Sequence, residues 1–400
     1  MQLRTRHVTN NKRLLALSTA AMALPGMGPQ SVTAQDAMSQ DKSISYRFNS
    51  YSEDNVPSSK LWNADSSSPR YTIDTHQLNF TSPITRSTQL ALKVMAESMT
   101  GASPRFVRPQ FDDNDVLQPK IVMSGATIDE KRTDLDINFT TWKDKGISST
   151  GISYSTEHDY SSVGARTKHT WFFNEKNTSF ELGASVSQDF IEARQIDDEK
   201  TSASVTVGLS QIIDKSSIVS SSLNFASYNG YLSDPYKEVW VTGGTGIIAD
   251  ARPDSRNQWA WSTSYRKHFE KLNSSLHADY RLFGNDWDTL SHTLDLRWLY
   301  EFGDGWVVTP SLRYYQQSRA EFFQNWYESI PADGYVSSDY RLSDYNANSL
   351  RLKITKKLDF GALHLSMEKY TSSSSTNTPI FSSPALVDFS YITIGLDLRI

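Results

Sequence analysis

The sequence predicts an all-β chain, a transmembrane antiparallel β-barrel of about sixteen strands with short turns at one end and longer loops at the other. Three observations carry that expectation. Segments of about ten residues alternate apolar and polar side chains, and strand side chains point to opposite faces in turn. The links between these segments are sorted by parity, short after even strands and long after several odd ones. No stretch after the N-terminus is apolar enough for a spanning helix, so a membrane crossing here requires strands closed on themselves.

The N-terminus comes first. Arg4, Arg6, Lys12 and Arg13 form a basic region, Leu14 to Leu24 an apolar one, and Val32-Thr33-Ala34 a small-residue cleavage site. Together they read as a signal peptide over residues 1–34, followed by a polar leader over 35–42 and the barrel over 43–400. The chain holds no cysteine, which excludes disulfides, thiol chemistry and a lipoprotein anchor. Its formal net charge is −5, and loss of the four leader cations makes the mature chain more acidic still. An acidic exported chain argues against nucleic acid as a partner. Hydrophobic residues make up 38% and mean hydropathy is −0.50. A barrel reconciles these values, because half of each strand meets lipid and half meets water.

Period-two alternation places strands near 43–51, 70–80, 88–98, 131–141, 147–156, 162–173, 178–189 and 202–212. The second half follows with 217–227, 257–269, 274–283, 289–301, 306–317, 348–357, 361–370 and 387–400. The clearest pair runs from Leu290 to Gln317. One face of its first arm reads Leu290, His292, Leu294, Leu296, Trp298, Tyr300, and the other Ser291, Thr293, Asp295, Arg297. After the Gly303-Asp304-Gly305 turn, Trp306, Val308, Pro310, Leu312 and Tyr314 oppose Val307, Thr309, Ser311, Arg313 and Tyr315. Pro310 removes a ladder hydrogen bond, so a local bulge is expected there. The final strand carries Ile392, Ile394, Leu396, Leu398 and Ile400 on one face.

Short links such as Asn174–Asn177 and Asp214-Lys215 contrast with the long ones at 52–69, 99–130, 228–256, 318–347 and 371–386. That asymmetry matches short periplasmic turns and longer extracellular loops. An even strand count then puts both ends of the barrel in the periplasm, and the signal peptide implies delivery to the cell outer membrane. Membrane lipid and lipopolysaccharide are the expected surroundings.

Several stretches resemble a family of proteobacterial outer-membrane proteins, domain of unknown function 3570. They are Glu157-His158-Asp159-Tyr160-Ser161-Ser162, Gly230-Tyr231-Leu232-Ser233-Asp234-Pro235-Tyr236-Lys237, Arg252-Pro253-Asp254-Ser255-Arg256 and Thr309-Pro310-Ser311-Leu312-Arg313-Tyr314-Tyr315. The resemblance covers nearly all of the mature chain. It implies a barrel and brings no activity with it.

Extrapolated alternation turns Arg266, Arg281, Arg297, Arg313, Arg351, Lys353 and Arg399 into the lumen, with Asp279, Asp295, Glu368 and Asp397 among them. Such a wall forms a basic constriction that filters anions, a docking wall for a periplasmic partner, or an ion-pair lattice that stiffens the barrel. A second motif, Glu97-Ser98-Met99-Thr100-Gly101-Ala102-Ser103, is similar to the acceptor sequence of proteins carrying covalent FMN. By that match Ser103 is the attachment oxygen, Glu97 and Thr100 belong to the motif, and a flavin transferase is a partner. The same residues also read as a strand end running into a Gly-Ala-Ser-Pro turn. His158-Asp159-Tyr160 reads as a hydrogen-bonded loop tip. The histidines show no HExxH spacing, no GxSxG elbow is present, and no catalytic constellation emerges. A pore or transport barrel, a flavin-bearing redox component and a barrel-embedded hydrolase are the readings left, in that order of support.

Overall fold

The computed structural model describes residues 38–63, 69–124 and 128–400. The expected signal peptide lies outside the described residues, as does the start of the leader. From Ser43 onward, alternation becomes strand. The barrel strands of the first half are β1 (Ser43–Glu53), β2 (Thr72–Pro83), β3 (Thr88–Gly101), β6 (Ile128–Lys143), β7 (Gly146–Thr156), β8 (Tyr160–Phe173), β9 (Thr178–Ile191) and β10 (Asp198–Asp214). Those of the second half are β11 (Ser217–Gly230), β14 (Ser255–Phe269), β15 (Ser274–Asn285), β16 (Leu290–Phe302), β17 (Trp306–Gln317), β18 (Tyr345–Leu358), β19 (Gly361–Ser374) and β20 (Phe389–Arg399). They form a closed antiparallel barrel in which β1 pairs with β20, Ser43 opposite Arg399. Closure leaves no open edge for lipid to meet.

Two hairpins inside the long links form sheets of their own: β4 (Pro104–Phe111) with β5 (Leu117–Met123), and β12 (Glu238–Val241) with β13 (Gly246–Ala249). Sequence reading treats 99–130 and 228–256 as links, so these four strands correct it. Their alternation serves packing against other loops, not against the barrel wall.

The outward faces carry Leu182, Val186, Val205, Leu223, Leu294, Leu312, Leu350, Leu352, Leu365 and Ile394, all exposed. A continuous apolar belt of this kind is what lipid requires of a barrel. Pro310 stands in this belt. The expected bulge is absent: β17 keeps its register with β18 through Pro310↔Leu352. Its register with β16 is the same on both sides of the proline, with the recorded pairing interrupted between Arg297↔Ser311 and Tyr300↔Val308. The ladder thus loses local pairing at the residue without an N–H and does not slip.

Seven links of two to four residues close one end, and the Gly303–Gly305 turn shows how. Both glycines take positive φ, +40° and +78°, a region open to residues without a Cβ. At the other end lie L1 (54–63 and 69–71), L2 (102–124), L3 (157–159), L4 (192–197), L5 (231–254), L6 (286–289), L7 (318–344) and L8 (375–388).

Candidate functional site

Inward positions follow from the register. Arg266 of β14 pairs with Asp279 of β15 at 2.5 Å, and Arg297 of β16 also reaches Asp279. Asp295 takes Arg297 and Arg313 at 3.0 Å each. Arg351 stands 3.9 Å from Glu368, and Arg281 lies over the ring of Phe283. Lys353 sits one inward step along β18 from Arg351. Arg399 is exposed at the short-turn end, where its strand finishes. Further along the wall, Arg47 pairs with Asp397 at 2.6 Å, and Asp397 also meets His364 Nε2 at 2.6 Å. The lattice of interleaved acids and bases is therefore built for part of the set, while Lys353 is drawn into no comparable short pair among the described residues.

The far wall is different in kind. Ser185–Ser204, Ser187–Ser202 and Ser210–Ser220 bridge β9, β10 and β11 at 2.7–2.8 Å. Short hydroxyl side chains leave room where long charged ones fill it. Inward charges also keep contact with solvent: the side chains of Arg166, Arg297 and Asp279 are 40%, 32% and 27% exposed. Side chains that point inward yet stay partly accessible line a lumen with open space, as sixteen-stranded barrels leave.

The long links interlock over one mouth. Arg108 of β4 is clasped between Trp62 of L1 and Trp240 of β12, at 4.0 and 3.8 Å from the ring centroids. Lys237 of L5 donates to the carbonyl of Pro104. Asn325 of L7 donates to the carbonyls of Pro379 and Ser382 in L8, at 2.7 and 2.8 Å. Val239, Val241, Tyr327 and Val336 form one buried cluster; Trp287, Ala320, Phe322 and Phe323 form another. Through the centre runs a charge network. Arg341 reaches Asp339 and Asp234, and Arg252 bridges Asp250 and Asp339 at 2.7 and 2.8 Å. Burial alone pushes the Asp339 carboxyl up, but Arg341 and Arg252 hold it well below the usual carboxylate range. Burial raises Asp250 against the pull of Arg252, and it lowers the Lys237 ammonium against the pull of Asp339.

The residues of the expected flavin-acceptor motif point three ways. Glu97 is buried toward the lumen and accepts from Thr75 at 3.3 Å, while Thr100 is exposed on the outer face. Ser103 is 6% exposed under the cap, its N–H donating to Ser124 Oγ at 3.1 Å. Gly101, at φ +126°, turns the chain there with the Arg70 carbonyl only 2.4 Å from where a Cβ would stand. Sequence reasoning missed the cap network, although its signal lay in the resemblance stretches. GYLSDPYK supplies Asp234, Tyr236 and Lys237, and Arg252-Pro253-Asp254 supplies Arg252. The loop-tip expectation at Asp159 becomes a bond donated by the Tyr236 hydroxyl.

Fold and lumen define a sixteen-stranded β-barrel of the outer-membrane type. The chain belongs to the family described as protein of unknown function (DUF3570), whose model matches residues 14–197 and 193–381. No curated protein matches it in sequence. Among solved structures it is similar to the siderophore receptor PirA from Pseudomonas aeruginosa, at 9% identity and TM-score 0.44, over 90% of this chain and 62% of that receptor. It thus spans under two thirds of the receptor's length. OccK5 (OpdH) from Pseudomonas aeruginosa matches at 12% identity and TM-score 0.43, and a BenF-like porin from Pseudomonas fluorescens Pf-5 at 11% and 0.45. Each alignment covers 90% of this chain and 98% of the other.

Proposed function

We propose that the protein is an outer-membrane solute channel with an anion-favouring lumen, closed at its long-loop mouth by the interlocked cap. The observation that carries this is the exposure of inward charged side chains, which requires space for water inside the barrel. The basic bias of the β14–β19 wall sets the preferred sign, because a low-dielectric wall focuses the field of unmatched cations into the lumen. The cap then acts as a gate, since its links hold one another by side chains that solvent or a partner can compete for. The long-loop mouth faces outward in this reading and the short turns face the periplasm. Planar bilayers test it. The wild-type barrel should pass little current, and Arg341→Ala should open steady conductance whose reversal potential in a salt gradient favours anions. Silence in both proteins, each shown to be folded by gel mobility with and without boiling, rejects the channel.

A further inference from the structure

Ser311 occupies an unusual place on the lumen wall. Its register partner on β16 is Arg297 and on β18 is Arg351, so guanidinium groups flank it on both sides. The residue is 9% exposed, and its hydroxyl oxygen is buried with no hydrogen-bond partner among the described residues. A buried hydroxyl left unbonded costs free energy on the order of 1–3 kcal/mol, so such an atom calls for a ligand. Lys353 follows Arg351 on the same face of β18, opposite Thr309. The charged groups acting on Lys353 include Arg47, Arg351 and Arg297, with Asp397 as the attracting carboxylate.

The nearby acids do not neutralise this wall. Asp279 is shared between Arg266 and Arg297, and Asp295 between Arg297 and Arg313. Glu368 accepts from the Ser349 hydroxyl and stays 3.9 Å from Arg351. Along this wall the six cations Arg47, Arg266, Arg297, Arg313, Arg351 and Lys353 face the four acids Asp279, Asp295, Glu368 and Asp397. Two positive charges are left over beside an unbonded hydroxyl.

We propose that Ser311, Arg351 and Lys353 form a binding site for a divalent tetrahedral oxyanion of the phosphate class. The guanidinium fork of Arg351 and the Ser311 hydroxyl donate to its oxygens, and Lys353 supplies the second charge. The site rests on the channel reading for its role in passage, but binding itself needs no current. A free phosphate and the phosphoryl group of a larger ester share this chemistry, so both serve as probes.

Isothermal titration calorimetry on the folded full-length mature barrel in detergent micelles, at constant ionic strength in sodium chloride, tests the site. Inorganic phosphate and glycerol 3-phosphate are titrated separately. Saturable binding of either is expected, weakened about tenfold or more in Lys353→Gln and measurably in Ser311→Ala. Lys271→Gln, on a turn outside the lumen, should leave it unchanged. Heat-modifiable gel mobility establishes that each variant is folded. Absence of saturable binding for both probes, or equal affinity in wild type and Lys353→Gln, overturns the proposal. Phosphate binding together with bilayer silence in both wild type and Arg341→Ala keeps the site and removes the channel.

Discussion

Arg341 of L7 donates from its guanidinium to Asp234 of L5 at 2.6 Å, across 107 residues of sequence. The same side chain holds Asp339, so one cation ties two loops together. Arg341→Ala takes the guanidinium from buried Asp234 and leaves Asp339 with Arg252, a loss of about 3–5 kcal/mol for a broken buried pair. The barrel should survive, because Gln317 of β17 reaches this residue at its backbone carbonyl, which alanine keeps. Limited proteolysis of the membrane-embedded variant should cut within 318–344 at least tenfold faster than in wild type. Equal cutting rates would mean that apolar packing alone secures the cap.

The acid response of the cap follows from opposite shifts. Asp339 is depressed, so its stabilising contribution is complete above the ordinary carboxylate value of 3.8 and drains away as pH falls below it. Asp250 is raised, so the folded cap binds its proton more readily than unfolded loops do. Between that raised value and 3.8, acidification therefore strengthens the cap through Asp250. Protease resistance of L7 should hold or rise on moving from neutral pH toward 3.8 and decline below it. In Asp339→Asn the decline below 3.8 should be blunted; an identical profile would assign acid sensitivity to other groups.

Lumen charge should set ion preference. Neutralising Arg297 and Arg313 together to Gln removes two cations but leaves Asp279 and Asp295 facing the water. Measured by reversal potential in the cap-opened background, selectivity should move toward cations. Asp279→Asn should move it the other way. Shifts of the same sign in both variants would contradict a lumen in which these side chains line the path.

Leu352 faces outward in the middle of β18, 49% exposed beside Pro310. Arg at this position should destabilise the barrel in lipid by about 2–4 kcal/mol, the range for an arginine near the bilayer midplane. Urea unfolding in bilayers by tryptophan fluorescence reads the change. A neutral outcome would place Leu352 away from hydrocarbon.

Ser103 lies under the cap, so its hydroxyl is shielded once the loops close. The assembled barrel treated with flavin transferase and its flavin donor should retain its unmodified mass. A protein band fluorescing under ultraviolet light from wild type co-expressed with the transferase, and absent from Ser103→Ala, would show that attachment precedes cap closure.

The barrel was legible because its signal is local and repeated. Trp298 and Tyr300 beside Asp295 and Arg297 already separate a lipid face from a lumen face, and the parity of link lengths gives the two ends. The Arg266, Arg297 and Arg313 face follows from the same alternation. What alternation does not encode is which acid meets which base: Asp279 serves both Arg266 and Arg297, a choice made by side-chain reach across strands. The cap was illegible for a stronger reason. Ile121 and Phe106 look like ordinary loop residues until Leu61 is brought against the first and Trp240 of β12 stacks on the second. Pro310 shows the reverse error, in which a sound local rule met a neighbouring strand that held the register without slipping.

The interlocked links impose a timetable on biogenesis. Trp62 and Arg108 lie early in the chain, but Arg108's second tryptophan is at 240, and Asn325 finds its acceptors only when 379–382 is in place. The hairpin of L2 therefore stays unsheltered on the β12 side until the strands between them stand in the wall. Contacts this distant in sequence form slowly. Quality control that reads exposed loops would therefore register completion only after β20 has sealed against β1.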